Sequence, residues 1–256
     1  MMNIDKQQVA RHFSKAVISY NDFAQLQRDI GDNLLMHLPK TPTSRALDLG
    51  CGTGHFAHKL QATASQVVGI DLSFAMAQYA QQQNHNFYAM VCDAECISLS
   101  DQSVDIVFSN LALQWCNNLS RALREIKRIL RPGGICVFSS LLDGTLWELK
   151  QAWCEIDDTP HVNQFMAENC LYEQIRLAGF ADPQVQTETR TLWYPDVFAL
   201  LAELKGIGAN YVVDAKQGLN TAAKLRQLAK VYQQQFAQKN QVSATYQVCY
   251  GVLIND

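Results

Sequence analysis

The chain has 256 residues, 48% hydrophobic and 18% charged, with a formal net charge of −3. That is material for one large α/β domain with a full core, and the weak charge argues against nucleic acid as the main partner. No apolar stretch reaches the roughly 20 residues that span a bilayer, and residues 1–11 lack the apolar segment of a signal peptide, so no membrane partner is expected and the protein reads as cytoplasmic.

Residues 5–20 and 22–38 predict two amphipathic helices. Val9, Phe13, Ala16, Val17 and Tyr20, then Phe23, Leu26, Ile30 and Leu34, recur at steps of three and four, and Pro39 and Pro42 end the second run. They precede the first strand and form an N-terminal cover over 1–40. Tyr20 and Arg28 are its notable polar residues; taken alone they are a rim aromatic and a solvated charge. An alternation of short apolar strands and helices follows. Strands are expected at 46–49, 66–70, 87–92, 104–109 and 135–141, and helices at 55–62, 73–82 and 119–130, the last closed by the turn signal Arg131-Pro132-Gly133-Gly134. This predicts a mostly parallel sheet covered on both faces. A helix to about residue 156, another over 167–178 and a sixth strand over 183–193 complete a core spanning 41–194. Two helices, 195–207 and 221–236, precede a strongly alternating final strand within 241–256. The block 195–240 is expected to lie over the strand ends as a lid. The whole chain is read as a single domain.

The first strand ends in Leu47-Asp48-Leu49-Gly50-Cys51-Gly52-Thr53-Gly54. Glycines let backbone approach a ligand closely, and the helix start offers unpaired N–H groups. The spacing is G-x-G-x-G rather than the G-x-G-x-x-G of dinucleotide binders, and no Lys-Ser/Thr pair follows as in a P-loop. Polar residues then mark successive strand ends. Asp71, 21 residues after Gly50, suits the two hydroxyls of a ribose. Asp93, followed by Ala94 and Glu95, suits an adenine amino group. Asn110 closes the fourth strand. Each is also an ordinary strand terminator; in series behind a glycine loop they predict a nucleoside site. The eight cysteines are scattered, with no C-x-x-C and no zinc spacing. Cys51 has no partner histidine, so it reads as a small loop side chain, and no metal is expected.

With these motifs the chain resembles the class I S-adenosylmethionine (SAM) methyltransferases, with Rossmann-like fold and a seven-stranded sheet. More narrowly it resembles the malonyl-acyl-carrier-protein O-methyltransferases of biotin synthesis. The narrower resemblance rests on Phe13-Ser14-Lys15-Ala16 with Tyr20, on Leu26-Gln27-Arg28, on the run from Ser109 to Cys116, on Gly144-Thr145-Leu146 with Glu148-Leu149, and on Leu204-Lys205-Gly206-Ile207-Gly208-Ala209. It departs at Ala202, where some relatives carry Arg. The resemblance implies SAM as cofactor, S-adenosylhomocysteine as its product, and malonyl-acyl carrier protein, or malonyl-coenzyme A, as acceptor. It places Arg28, Asp48, Gly50, Cys51, Gly52, Gly54, Asp71, Leu72, Met76, Asp93, Ala94, Glu95, Asn110 and Leu111 at the cofactor. Tyr20, Gln114, Trp115 and Lys205 line the acceptor pocket, with Lys205 or Arg28 orienting the carboxylate. An ionised carboxylate needs no general base, so positioning is expected to carry catalysis. An acidic carrier protein requires a basic docking patch: either Arg121, Arg124, Lys127 and Arg128, or, preferred for its place on the lid, Lys216, Lys224, Arg226 and Lys230. A methyltransferase for another small acid or quinone, a nicotinamide dehydrogenase and a non-catalytic SAM-binding protein are the alternatives.

Overall fold

The structure, a computed structural model, describes residues 4–213 and 221–256. Three helices come first: α1 (Lys6–Ala16), α2 (Tyr20–Phe23) and α3 (Gln25–Leu35). Asp5 caps α1 by accepting from the Gln7 and Gln8 N–H groups. The continuous helix expected over 22–38 is interrupted at Ala24, where ψ is 34°. The interruption seats the Phe23 ring against Gly206, where a Cβ would come within 2.3 Å of it.

The core then runs β1 (Thr43–Leu49), α4 (Ala57–Gln61), β2 (Ala64–Asp71), α5 (Phe74–Gln83), β3 (Phe87–Val91), β4 (Val104–Asn110), α6 (Leu119–Ile129), β5 (Leu130–Leu141), α7 (Trp147–Cys154), α8 (Glu168–Leu177) and β6 (Gln184–Tyr194). After it come α9 (Val197–Gly206), α10 (Ala222–Phe236), β7 (Ala237–Gln238) and β8 (Gln241–Ile254). The sheet order is β3-β2-β1-β4-β5-β8-β6, with β7 paired to β8. Strands β1 to β5 pair in parallel, and β8 is antiparallel to both β5 and β6. The two-residue β7 adds an eighth strand to the expected seven. It forms a hairpin with β8 through Lys239 and Asn240, both at positive φ, as a tight hairpin turn requires.

Alternation along the strands builds two apolar layers. Ile106 and Phe108 face Ile30, Leu34, Phe56 and Tyr232, whereas Leu47, Leu49 and Val107 face Leu123, Ile126 and Ile175. Both faces of the sheet are therefore buried. Two local expectations are corrected. The turn at Arg131-Pro132-Gly133-Gly134 is part of β5, because the C-terminus pairs with it: Gly133 N–H donates to the Asn255 carbonyl at 2.6 Å and Asn255 N–H to that of Gly134 at 2.9 Å. The helix after the glycine loop starts at Ala57, not residue 55, and has only five residues, so it presents no extended row of free N–H groups to a ligand.

The strand order reverses between β1 and β4, and a crevice opens beyond their C-terminal ends. The N-terminal cover and α9 close over it together. Ser19 Oγ donates to the Gly206 carbonyl at 2.9 Å, and a Cβ on Gly208 would lie 3.0 Å from the α1 backbone at Phe13. Helix α10 turns away instead, burying Leu228 and Tyr232, with Tyr232 Oη donating to the Ser243 carbonyl at 2.8 Å.

Candidate active site

Three cavities share Tyr20 as a wall. The first, of about 100 Å³, lies over the β1/β4 switch. Of the residues expected at a nucleoside, Gly50, Gly52, Asp71, Leu72, Asp93, Ala94, Asn110 and Leu111 line it. Asp71 ends β2 with Oδ2 accepting from Gly52 N–H at 2.9 Å and Oδ1 from Ser73 N–H at 2.7 Å. Burial nonetheless pushes its pKa up to about 6, against those N–H bonds. Gly52, at φ +52°, is open: a Cβ there would meet nothing within 4 Å. Asn110 is fixed at both ends, its Nδ2 donating to the Gln27 carbonyl at 2.8 Å and its Oδ1 accepting from Ser139 Oγ at 2.7 Å.

The cover supplies the rest of this wall. Lys6, Val9 and Phe13 of α1 line the same cavity. Lys6 Nζ donates to both Asp93 oxygens, at 2.8 and 2.7 Å, and to Glu95 Oε1 at 2.6 Å. Burial works against the ammonium, but the two carboxylates outweigh it and raise the lysine's pKa. Lys6 was not singled out from the sequence, because it stands 87 residues from Asp93 in a polar stretch. Three expected cofactor residues do not line the cavities. Glu95 turns to Lys6 and to Asn117 N–H. Met76 is fully buried on the inner face of α5, whose N-cap Ser73 accepts from its N–H. Gly54 packs against α5, where a Cβ would lie 3.0 Å from that of Ala80.

A second cavity, of about 40 Å³, lies on the other side of Tyr20. Gln27, Arg28, Asp48, Cys51, Gly52 and Asn110 line it. Asp48 is 2% exposed and its Oδ2 has no hydrogen-bond partner among the described residues. Burial, then the nearby Asp71 carboxylate, push its pKa up to about 8. Arg28 donates to the Asn21 carbonyl and to Gln25 Oε1. The Cys51 thiol is buried, with Sγ against Gly69, and its pKa is pushed well up, which removes it as a nucleophile.

The third cavity is the largest, about 360 Å³, and largely apolar. Tyr20, Gln114, Trp115 and Lys205 all line it, as expected of acceptor residues; Arg28 does not, so of the two expected cations only Lys205 reaches it. Trp115 stands edge-on to Phe13, with ring centroids 5.6 Å apart. Lys205 is exposed at the end of α9, and its ammonium pairs with none of the described residues. Burial and Asp71 drive the Tyr20 phenol upward, so it stays protonated as a donor. The outer wall is a lip the sequence did not disclose. His161 stacks on Trp153 at 3.7 Å and bonds Asp157 at 2.9 Å. Asn163 clasps the segment after α9 through the Tyr211 carbonyl and Val213 N–H.

The two basic patches fare differently. Arg121, Arg124 and Lys127 donate to backbone carbonyls, and Arg128 to Asp101 and Glu125. On the lid, Lys224 is tied to Asp157 at 2.7 Å, Lys216 lies outside the described residues, and Arg226 and Lys230 are exposed one turn apart on α10. Among the described residues no helix is long and apolar enough to cross a membrane, and no group of three or more His, Cys, Asp or Glu side chains could hold a metal ion.

The residues present fit SAM. The orphaned Asp48 oxygen and the Arg28 guanidinium suit the ammonium and the carboxylate of a zwitterionic amino-acid end, and the open Gly52 with the Asp71 carboxylate suits a nucleoside. A family described as "Methyltransferase domain" matches residues 47–138. The YcgJ protein of Bacillus subtilis shares the fold, with a TM-score of 0.65 over 89% of this chain and 98% of that one at 16% identity. Fold and site thus define a class I SAM-dependent methyltransferase. A malonyl-[acyl-carrier protein] O-methyltransferase of Pectobacterium atrosepticum is 38% identical over 99% of this chain and 98% of its own. A biotin biosynthesis bifunctional protein of Cellvibrio japonicus is 36% identical over 98% of this chain, which spans 50% of that protein. The chain belongs to the malonyl-[acyl-carrier protein] O-methyltransferase family.

Proposed function

We propose that this protein transfers the methyl group of SAM to the free carboxylate of malonyl-acyl carrier protein. The product is the malonyl methyl ester that primes pimeloyl synthesis in the biotin pathway. The observation that carries the reading is the large apolar cavity that meets the cofactor crevice at Tyr20 and holds at its rim Lys205, whose ammonium is unpaired among the described residues. A malonyl carboxylate enters already ionised. SAM supplies a methyl group on a sulfonium leaving group. Transfer of that methyl group to a carboxylate oxygen would release the neutral thioether and would require no proton movement. The chain's task is to place the nucleophile in line and strip its water. The Tyr20 hydroxyl and the Gln114 amide orient it, Trp115 and Phe13 wall it in, and Lys205 receives it at the rim by a charge-assisted contact. At the cofactor, Asp71 takes the ribose hydroxyls, Asp93 and Ala94 the adenine, and Arg28 the α-carboxylate, while Gly50, Gly52, Asn110 and Leu111 form the walls.

The carrier protein is the preferred acceptor and malonyl-coenzyme A the lesser one. The reaction runs in the cytoplasm and involves neither membrane nor nucleic acid. Intact-mass analysis of malonyl-acyl carrier protein after incubation with SAM tests the assignment. One added methyl group, removed by esterase treatment, is expected. An unchanged acceptor mass in the presence of bound SAM contradicts it and returns the search to other small acids and quinones.

A further inference from the structure

Gln27 has a polar atom that nothing so far explains. Its side-chain Oε1 is buried without a hydrogen-bond partner among the described residues, and so is Asp48 Oδ2. Both residues line the same cavity of about 40 Å³. A native fold rarely leaves buried acceptors unmet, because each carries the full cost of lost hydration. Two in one small cavity, one of them a carboxylate, are complementary to a group that is all donor and positively charged. Two other polar walls of the cavity are already engaged: Thr53 Oγ1 donates to Asn21 Oδ1 at 2.8 Å, and Gly52 N–H to Asp71. Gln27 is also held in place. Asn110 Nδ2, from the end of β4, donates to its backbone carbonyl at 2.8 Å, so α3 cannot slide without breaking the strand-end network.

We propose that Gln27 Oε1 and Asp48 Oδ2 form one acceptor pair for the α-ammonium of the cofactor's methionine end, which makes Gln27, a residue of the N-terminal cover, a cofactor-binding residue. The proposal rests on the SAM reading above. It gives the cover a direct part in recognising the cofactor, and it puts the ammonium contact in the same side chain that walls the acceptor cavity. Arg28, next in sequence, lines the same cavity and takes the α-carboxylate, so adjacent residues of α3 read the two charges of one zwitterion.

The test is calorimetric binding of two ligands to the full chain: S-adenosylhomocysteine, and methylthioadenosine, which keeps the nucleoside and sulfur but lacks the amino-acid end. Gln27→Met removes the oxygen at nearly constant volume, and Gln27→Leu repeats the comparison with a second apolar side chain. Both are expected to weaken S-adenosylhomocysteine about 10-fold or more, the scale of a hydrogen bond to a charged group, and to change methylthioadenosine less than about 2-fold. Gln27→Glu presents an oxygen whichever way it turns and is expected to keep S-adenosylhomocysteine within about 3-fold of the parent. Equal loss of both ligands, unchanged S-adenosylhomocysteine binding in the Met and Leu variants, or failure of Glu to restore it overturns the proposal and assigns the cavity to a structural water. If the unmodified protein binds no S-adenosylhomocysteine, the cofactor reading itself fails, which separates the two outcomes.

Discussion

Asp48 carries a cost in the ligand-free protein. Its carboxyl is buried, one oxygen is unpartnered, and its pKa stands at about 8 beside that of Asp71 at about 6. A carboxyl whose pKa is raised on folding binds its proton more tightly in the native state, so stability falls as pH rises from the ordinary carboxylate range through about 8. The charged and titratable groups facing it are Asp71 from β2, Arg28 and Tyr20 from the cover, and Cys51 and His55 from the glycine loop and its end. Asp48→Asn is therefore expected to raise the melting temperature of the ligand-free protein at pH 9 by several degrees more than at pH 5, about 2–4 °C for each kcal/mol at this chain length. The same change is expected to weaken S-adenosylhomocysteine about 10-fold or more. Thermal melts at the two pH values check the first effect; a gain that does not depend on pH would show that Asp48 is not the strained group. Asp48, Asp71, Asp93 and Asn110 were legible because a strand end behind a glycine loop fixes where a side chain goes. Gln27 and Lys6 were not. Their roles depend on how two helices pack over residues 21 and 87 positions away, and neither spacing nor residue type records that.

At the scale of elements, the cover and α9 act as one piece. The glycines of Leu204-Lys205-Gly206-Ile207-Gly208 stand where Phe23 and the α1 backbone press closest. Gly206→Ala would put a Cβ 2.3 Å from the Phe23 ring. Overpacking of this kind costs about 1–3 kcal/mol, and here the displaced element carries Tyr20. A lower melting temperature is expected together with a fall in kcat larger than any change in the KM for SAM, since the acceptor wall shifts while Gly52 and Asp71 do not. A variant with parental melting and kcat would contradict the interlock. The alternation of strands and helices was readable from periodicity, as was the presence of two helices between the last two long strands, of which α9 lies over the crevice and α10 does not. The break at Ala24 and the absorption of Arg131–Gly134 into β5 were not. The first answers a glycine in α9, and the second answers Asn255, 121 residues beyond Gly134 in the chain.

For the whole molecule, an acidic chain must meet an acidic carrier protein through a local basic surface. The core-helix patch is occupied by backbone carbonyls and carboxylates, and Lys224 is held by Asp157, which leaves Arg226 and Lys230 on α10 as the exposed pair among the described residues of the two patches. Reversing both to Glu is expected to raise the KM for malonyl-acyl carrier protein several-fold, with a steeper salt dependence lost and with malonyl-coenzyme A unaffected. Equal effects on both acceptors would remove α10 as the docking face. The measurement that bears most directly on the account is methyl transfer from labelled SAM to equal concentrations of malonyl-acyl carrier protein, malonyl-coenzyme A and acetyl-acyl carrier protein. Label is expected on the malonyl species, more on the carrier-bound one, and none on the acetyl thioester, which lacks the free carboxylate. Label on the acetyl thioester, or on none of the three while SAM is bound, would contradict a carboxylate nucleophile placed at Tyr20.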